Sequence, residues 1–315
     1  MELGGDFEVL EFRIGKLKSM PSYARIRVKG RSREHLEQML KEVYACGGVP
    51  SGLQPVSLAQ APRDCVLPDG FYSTTNNRTY ILFEGEWLEV EGLMMDKCIV
   101  VDPVARRAFC KAIRDVKAGD LIVVGEVGVR VVPPERPRES LGVFEFMGSR
   151  SSSEKPVPTI TARIAKDLFE VKRGGGRIAV VAGPSVVHTG GVEALSELIR
   201  LGYVHALLAG NALAVHDVEY ALYGTSLGVR IDEGVPTPGG HRNHMSAINE
   251  IFKAGSLRDA VEKGILKRGI FYECIRRGIP YALAGSIRDD GPIPDVITDI
   301  VEAQKAYKEL LKGVN

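Results

Sequence analysis

The second half of the chain alternates short apolar runs with helical patterns, and no other feature constrains the fold as much. Three runs have the length and composition of buried strands: Arg177–Ala182, His205–Leu208 and Pro280–Leu283. Apolar residues at helical spacing predict helices at Val192–Leu201, near 216–222, at 245–253, at 257–277 and at Pro294–Leu311. Because strands that alternate with helices form parallel sheets, we predict a parallel, doubly wound α/β sheet from about residue 159 onward.

The first half follows a different pattern. Residues 1–60 predict the order β-β-α, and residues 62–134 predict an all-β segment, a small sheet or barrel, in which turn residues separate short apolar runs. These runs are Tyr80–Phe83, Trp87–Val90, Cys98–Val101, Leu121–Val124 and Val127–Val132. The polar, Ser-rich segment 148–158 marks a boundary. We therefore predict an N-terminal, substrate-side α+β region with a small β domain over residues 1–150 and a Rossmann-type domain over residues 151–315.

Composition excludes several classes of protein. The formal net charge of +1 lacks the basic excess that is typical of nucleic-acid-binding proteins. No run of about 18 apolar residues predicts a transmembrane helix, and the acidic N-terminus has no signal-peptide pattern. The five cysteines are scattered and form no CxxC pair, which favours reduced thiols over disulfides or zinc. We expect a cytoplasmic protein that binds neither nucleic acid nor membrane.

Small and polar residues follow each predicted strand of the second half. Gly183 begins the first loop and Gly190 lies near its end; Asn211 and Ala212 follow the second strand; Asp290 lies in the third loop. Ligands of parallel α/β sheets bind beyond the carboxyl ends of the strands, where helix N-termini favour anions. The loops predict a nucleotide site without the GxGxxG pattern, although ordinary turns or helix caps would use the same residues.

Segment 239–244 combines glycine, histidine and arginine. We find no nearby carboxylate or cysteine that would complete a set of ligands with His241 and His244, and we therefore predict no metal site. Arg242 is the better candidate, for contact with a phosphate or a carboxylate. His216, on the helix predicted after the second strand, is either catalytic or structural, and we favour the structural role.

The first half contains two candidate segments. The polar run at residues 71–76, which ends in Asn76, either binds an amino-acid substrate or forms a hairpin turn. Asp96, followed by Lys97 and Cys98, offers groups for acid–base chemistry.

Long segments throughout the chain resemble one family. They are GGDFEVLEF (4–12), PSYAR (21–25), FYSTTN (71–76), MDKCIVVDP (95–103), GDLIVVGEVGVRVVPPE (119–135), AGPSVVHTGG (182–191), AGNALAVHDVEYALYGTSLG (209–228), GHRNHMSAIN (240–249) and AGSIRDDGPIPD (284–295). The chain thereby resembles the archaeal ornithine cyclodeaminase family, also described as the LOR/SDH conserved-region family. It is similar as well to the C-terminal module of cyanobacterial arginine dihydrolase/ornithine cyclodeaminase.

The resemblance implies a substrate region followed by a deoxyhypusine-synthase-like NAD domain, and an enzyme that converts ornithine to proline and ammonia. NAD⁺ would take a hydride from the α-carbon, the δ-amine would close the ring with loss of ammonia, and NADH would reduce the cyclic imine.

Residue roles follow from the resemblance and from the loops together. The residues expected to bind the cofactor are Gly183, Gly190, Asn211, Ala212 and Asp290. The residues expected near ornithine are Asn76, Asp96 and Arg242, with Asp96 as the acid–base group. We also expect a homo-oligomer.

Two departures from the family leave alternatives open. Lys97 follows Asp96 where the family has a cysteine, and Cys98 comes one place later. Family members continue for another Rossmann half, so we expect a domain that is incomplete at its C-terminal end, with the remainder on a longer chain or a separate subunit. The alternatives to an ornithine cyclodeaminase are another NAD-dependent amino-acid dehydrogenase or lyase, and a non-catalytic nucleotide-binding subunit.

Overall fold

The protein divides into two compact units. One comprises Met1–Lys111 and Val116–Arg136, and the other comprises Ala112–Asp115 and Pro137–Asn315. The structure, a computed structural model, describes residues 6–13, 23–45, 48, 54–132, 157–231, 234–235, 237, 240–286 and 291–314. Within these ranges, no helix has both the length and the apolar composition that are needed to cross a membrane.

The first unit begins with a β-hairpin and a helix, as the sequence predicts. β1 (Asp6–Arg13) pairs antiparallel with β2 (Tyr23–Lys29), and α1 (Arg33–Ala45) follows. The hydroxyl oxygen of Ser32 accepts the N–H of His35 at 3.1 Å, which satisfies a donor that has no partner within the helix. Ser32 therefore fixes the start of α1.

A seven-stranded sheet follows in the first unit. Its strands are β3 (Ser57–Gln60), β4 (Arg78–Phe83), β5 (Glu86–Glu91), β6 (Cys98–Asp102), β7 (Arg107–Lys111), β8 (Leu121–Val124) and β9 (Val129–Val132). They lie in the order β3-β8-β6-β7-β5-β4-β9, and neighbours are antiparallel except for β5 and β7. The predicted sheet is confirmed, and β3 and β7 are strands that the apolar runs did not indicate.

The second unit is built on a parallel sheet. Its strands, in chain order, are β10 (Ala179–Ala182), β11 (Ala206–Gly210), β12 (Thr225–Ser226), β13 (Val229–Arg230), β14 (Tyr281–Ala284) and β15 (Val296–Ile297). The sheet has the order β10-β11-β14-β15 with every pair parallel, while β12 and β13 form a separate hairpin. The predicted parallel sheet is confirmed. The reversal of strand order that defines a doubly wound sheet is absent among these described strands.

Helices complete both units, and within the described ranges all but α1 belong to the second. They are α2 (Val157–Arg173), α3 (Ser185–His188), α4 (Val192–Arg200), α5 (Asn211–Tyr223), α6 (Asn243–Ala254), α7 (Leu257–Glu262), α8 (Ile270–Arg277) and α9 (Ile300–Leu310). α5 follows directly on β11 and is buried over most of its length, including His216, Asp217 and Glu219. Buried polar side chains need hydrogen-bond partners. The segments that surround α5 must therefore supply donors and acceptors at fixed positions.

The helix predicted over 257–277 is wrong in extent, because the structure divides it into α7 and α8. The carboxylate of Asp217 accepts the N–H groups of Ile270 and Phe271 at 3.0 and 2.9 Å, so a residue of α5 caps the start of α8. Burial raises the pKa of this carboxyl to about 7, although both N–H groups oppose the shift. Gly269 precedes α8 with φ of +108°, and a Cβ there would lie 2.8 Å from Asp217 Oδ1.

The last helix begins later than the position predicted for it. α9 starts at Ile300, because the carboxylate of Asp299 accepts the N–H groups of Val301 and Glu302 at 2.9 Å each. The preceding Val296–Ile297 instead pairs with β14. Apolar residues continue at helical spacing across this boundary, so the sequence pattern does not reveal it.

The turn after α5 and the turn before α6 touch through their backbones. Gly228 has φ of +73°, and a Cβ there would lie 2.6 Å from the backbone carbonyl carbon of Gly240. Gly224, at the C-terminal end of α5, has φ of +71°, but no described atom lies within 4 Å of its Cβ position. Gly228 and Gly224 therefore share a left-handed conformation and differ in the space around them.

We predict that Gly228→Ala destabilises the protein more than Gly224→Ala. Both substitutions force alanine into a left-handed conformation, at a cost of about 1–2 kcal/mol. Gly228→Ala adds a steric collision with the backbone of the neighbouring turn. The unfolding temperature, followed by circular dichroism, should fall modestly for Gly224→Ala and clearly further for Gly228→Ala. Equal decreases would contradict the close contact between the two turns.

Candidate active site

Glycines lie where the strands of the parallel sheet reach its carboxyl edge. Gly183 follows β10, Gly210 ends β11, and Gly285 follows β14. At Gly183 no atom of the described residues lies within 4 Å of the position that a Cβ would take, so a ligand can approach this backbone closely. At Gly285 that position is 3.2 Å from the Cα of Thr298, so this glycine serves the close packing of adjoining segments.

The start of α5 has the features of an anion site. Its N-cap residue is Gly210, and no side chain of the described structure caps its first N–H groups. These groups and the helix dipole attract anions such as pyrophosphate. Ala212, in the first turn, is partly exposed, and its methyl side chain leaves the backbone open to a ligand.

The side chain of Asn211 joins the first turn of α5 to the segment that precedes β15. Its Nδ2 donates to the carbonyl oxygen of Gly291, and its Oδ1 accepts the N–H of Ile293, both at 3.2 Å. The residue is buried. The observed role of this side chain is to hold two elements of the carboxyl edge together, and its predicted contact with a cofactor stays a prediction.

Gly190 and Asp290 are the other two predicted cofactor residues, and the structure describes Gly190 alone of this pair. Gly190 has φ of +79°, and its N–H donates to the carbonyl oxygen of Val187 at 3.0 Å. Gly190 thus ends α3 in a turn, and its N–H already has a partner. Asp290 lies outside the described residues.

The two candidate segments of the first unit are hydrogen-bonded to each other. The N–H of Thr74 donates to the carbonyl oxygen of Lys97 at 2.9 Å, and the N–H of Asp96 donates to that of Thr74 at 3.0 Å. The side-chain oxygen of Asn76 accepts the N–H of Met95 at 3.0 Å. The structure therefore brings the predicted residues Asn76 and Asp96 into one local arrangement.

Asp96 and its neighbours have distinct environments. Asp96 adopts a left-handed conformation with φ of +56°, which an aspartate tolerates better than most residues. Lys97 and Cys98 are buried. The thiol of Cys98 donates to the carbonyl oxygen of Lys111 at 3.2 Å, and burial raises its pKa to about 12. A thiol with this pKa stays protonated near neutral pH and does not act as a base there, and Asp96 stays the predicted acid–base group.

In the second unit, the carboxylate of Glu219 is the centre of a buried polar network. Its Oε1 accepts the hydroxyl of Thr225 at 2.9 Å and the N–H of Gly228 at 3.0 Å. Its Oε2 accepts the N–H of Leu227 at 3.2 Å and lies 3.1 Å from His216 Nδ1. Burial opposes ionisation, but these donors outweigh it, so the pKa of Glu219 lies below its ordinary value.

Three imidazole rings line up beside this carboxylate. The ring of His216 lies between those of His188 and His244, with centroid distances of 4.7 and 5.0 Å. The sequence did not indicate this row, because its members come from α3, α5 and α6. The one local signal is the spacing of His216 and Glu219, three residues apart on one helix.

The expectation that no carboxylate lies near segment 239–244 is wrong. Ligand atoms of His216, Glu219 and His244 all lie within 4.8 Å of one another, which is a spacing that could hold a metal ion. However, the carboxylate oxygens of Glu219 already have two neighbours each, so a cation would have to displace hydrogen-bond donors. The chemistry of these groups therefore fits proton transfer better than metal binding.

Arg242 lies next to the network at the start of α6. It occupies the N-cap position of that helix and is half-buried, and it makes no ion pair with the residues that the structure describes. Asn243, the next residue, donates from Nδ2 to the hydroxyl oxygen of Thr225 at 2.9 Å, which links α6 to Glu219. A half-buried guanidinium in this position suits a substrate carboxylate or phosphate.

Three family models together match the chain from end to end. Residues 1–77 match the LOR/SDH bifunctional enzyme conserved region, and residues 78–161 match the first C-terminal region of arginine dihydrolase ArgZ-like proteins. Residues 162–315 match the Rossmann fold of the same C-terminal part.

Curated relatives agree with these matches. Ornithine cyclodeaminase of Methanocaldococcus jannaschii is 57% identical over 318 residues, which covers 99% of this chain and 75% of the relative. The enzyme of the same name from Methanopyrus kandleri is 58% identical to this chain, and the match covers 99% of this chain and 76% of that enzyme. The chain belongs to the ornithine cyclodeaminase family. The family resemblance seen in the sequence is thus confirmed.

A solved structure extends the comparison to three dimensions. The ternary complex of AgrE with ornithine and NAD⁺ is 40% identical to this chain, with a TM-score of 0.82. The match covers 99% of this chain and 44% of AgrE, so the chain spans less than half the length of that protein. At this identity and TM-score, the predicted Rossmann-type α/β fold of the family is confirmed.

We predict that Asn76→Ala loosens the turn that carries Asp96, whereas Asn76→Asp does not. Alanine removes the oxygen that accepts the N–H of Met95, and aspartate keeps it. One exposed hydrogen bond contributes about 1 kcal/mol, so the Met95 amide should exchange with deuterium roughly fivefold faster in Asn76→Ala. Unchanged exchange of this amide in the alanine variant would show that the side chain does not hold the turn.

Proposed function

We propose that this chain is an NAD-dependent ornithine cyclodeaminase that converts L-ornithine to L-proline and ammonia. The observation that carries the proposal is the 57% identity to the M. jannaschii ornithine cyclodeaminase across 99% of the chain. Sequence identity at this level favours retention of the chemistry over a new activity on the same scaffold.

NAD as the cofactor fits the carboxyl edge of the parallel sheet. The backbone at Gly183 is open to a ligand, and the start of α5 offers N–H groups that no described side chain caps. A pyrophosphate needs both features, close approach to the backbone and a helix N-terminus. AgrE, whose matched part has the same fold, binds ornithine and NAD⁺.

The residues of the chain would bind, orient and move protons. A bound NAD would supply the hydride acceptor for oxidation at the ornithine α-carbon and the hydride donor after ring closure. We assign Gly183, Asn211 and Ala212 to cofactor binding. Gly183 and Ala212 would contact NAD through their backbones, and Asn211 would act through the segment before β15 that its side chain holds. Gly190 shapes the adjoining turn, and Asp290 is carried forward from the family resemblance.

Substrate residues are proposed from each unit by itself. In the second unit, the guanidinium of Arg242 is assigned to the ornithine carboxylate. In the first unit, Asp96 is assigned to acid–base work near an amine of ornithine, and Asn76 supports it through the backbone of Met95. Holding a flexible diamino acid in one conformation is the main contribution that such residues make to ring closure.

The proposal also covers the roles of the two regions, the oligomeric state and the cellular setting. We assign residues 1–150 to the substrate side and residues 151–315 to NAD, on the division predicted from the sequence. A homo-oligomer in the cytoplasm, which supplies proline from ornithine, is the setting in which we expect the enzyme to work.

The proposal is tested by incubating the purified protein with ornithine and NAD⁺ and following proline, ammonia and NADH. We expect equal amounts of proline and ammonia and no net NADH, because the cofactor is restored in each turn. Reactions without NAD⁺, and with lysine in place of ornithine, are the controls. Net NADH without proline would make the protein an amino-acid dehydrogenase, and NAD binding without any product would make it a regulatory subunit.

A further inference from the structure

His188 lies close in sequence to the carboxyl edge of the sheet, six residues after Ala182, the last residue of β10. It is the last residue of α3, the short helix that follows β10 and Gly183. Its ring is half-buried, and its Nδ1 lies 2.7 Å from the hydroxyl oxygen of the buried Ser226. With Nδ1 engaged by Ser226, Nε2 is the nitrogen that remains for a ligand.

A chain of contacts leads from His188 through His216 to Glu219. The edge of the His188 ring meets the ring of His216, which is 5% exposed, and the Nδ1 of His216 meets the carboxylate of Glu219, which is fully buried. A carboxylate that accepts Nδ1–H fixes the tautomer and the orientation of an imidazole. Three further donors hold Glu219 itself, so the pair is rigid.

We propose that His188 is an acid–base residue of the cyclodeaminase site and that His216 and Glu219 are the residues that position it. The inference rests on the proposed function, which supplies the substrate and NAD. It deepens that function by assigning proton transfer at the α-amine to a residue of the second unit.

The proton balance of the step closes within the cycle. Nε2 of His188 takes one proton from the α-ammonium group of ornithine, which frees the nitrogen lone pair for oxidation at Cα. The δ-ammonium group loses one proton to water before its nitrogen bonds to Cα and a second proton after that bond has formed. The imidazole then returns its proton to the α-nitrogen, whose bond to Cα breaks to release ammonia as the ring nitrogen forms a double bond to Cα. After hydride return, the ring nitrogen of proline and the released ammonia each take up one proton from water, which balances the two lost by the δ-ammonium group. His188 ends neutral, as it began.

The electrostatic surroundings suit a group that starts neutral. Burial lowers the pKa of His188, the neighbouring His216 lowers it further, and Glu219 opposes both. Among the residues that the structure describes, the groups that face it are His216 and Glu219 from α5 and Ser226 from β12, with His244 of α6 on the far side of His216. His188 is therefore an unprotonated base at neutral pH, which the first step requires.

The positioning claim is tested by NMR of ¹⁵N-labelled histidines, which needs no turnover. The chain has six histidines, so single substitutions assign each signal. His216→Gln removes the neighbouring imidazole that lowers the pKa of His188, so this pKa should rise. Glu219→Gln should release His216 from the single tautomer in which Nδ1 carries the proton. An unchanged pKa in the first variant, or an unchanged tautomer in the second, overturns the positioning claim.

The acid–base claim is tested by the turnover of ornithine. His188→Gln should lower kcat on the order of 100-fold while the Kd for NAD⁺ stays within a few-fold of the wild type. The matched control is His205→Gln, because His205 is a half-buried histidine directly before β11 whose Nδ1 accepts the N–H of Ile178 at 3.1 Å. This control should keep kcat near that of the wild type. Wild-type kcat in His188→Gln overturns the assignment.

Two further outcomes are decisive. A stoichiometric divalent metal in the purified protein that is lost in Glu219→Gln would make these groups metal ligands and overturn the proposal. A wild-type protein without ornithine turnover would instead contradict the proposed function, and the NMR titration would still decide whether His216 and Glu219 position His188.

Discussion

The buried carboxylate of Glu219 is the interaction on which the arrangement of the second unit depends. An ionised group without water must have hydrogen-bond donors, and here they come from the turn at residues 225–228 and from His216. That requirement fixes the turn after α5, whose Gly228 then packs on the backbone of Gly240 next to Arg242. One buried charge thereby connects the central helix, a turn and the start of α6.

Helix α5 carries residues proposed to bind the cofactor and residues proposed to take part in proton transfer. Its first turn offers uncapped N–H groups at the carboxyl edge, and Asn211 ties that turn to the segment before β15. About one to two turns further along the helix, His216 and Glu219 form the row of polar groups that ends at His188. Because α5 is buried along this length, both proposed functions share one rigid support. This suits a reaction in which the cofactor acts on the α-carbon and the proton donor acts on the nitrogen bound to it.

Sequence patterns predicted the elements of this fold better than the contacts among them. Alternating strands and helices gave the parallel sheet, and the loops that begin at Gly183 and Asn211 marked its carboxyl edge. Periodicity could not show that Asp299 starts the last helix, since apolar spacing continues across that point. It could not show Glu219 as a partner of His244 either, since the two residues are far apart in sequence and only the packing of α5 against α6 brings them together.

The central claim is an internal redox cycle at the α-carbon of ornithine, and isotope tracing tests it most directly. Ornithine that carries deuterium on Cα and ¹⁵N in the α-amino group would be converted by the enzyme with unlabelled NAD⁺ in the presence of ordinary water. The account predicts proline that retains deuterium at C2 and contains no ¹⁵N, with all ¹⁵N in ammonia. Loss of deuterium to water, or ¹⁵N retained in proline, would contradict it.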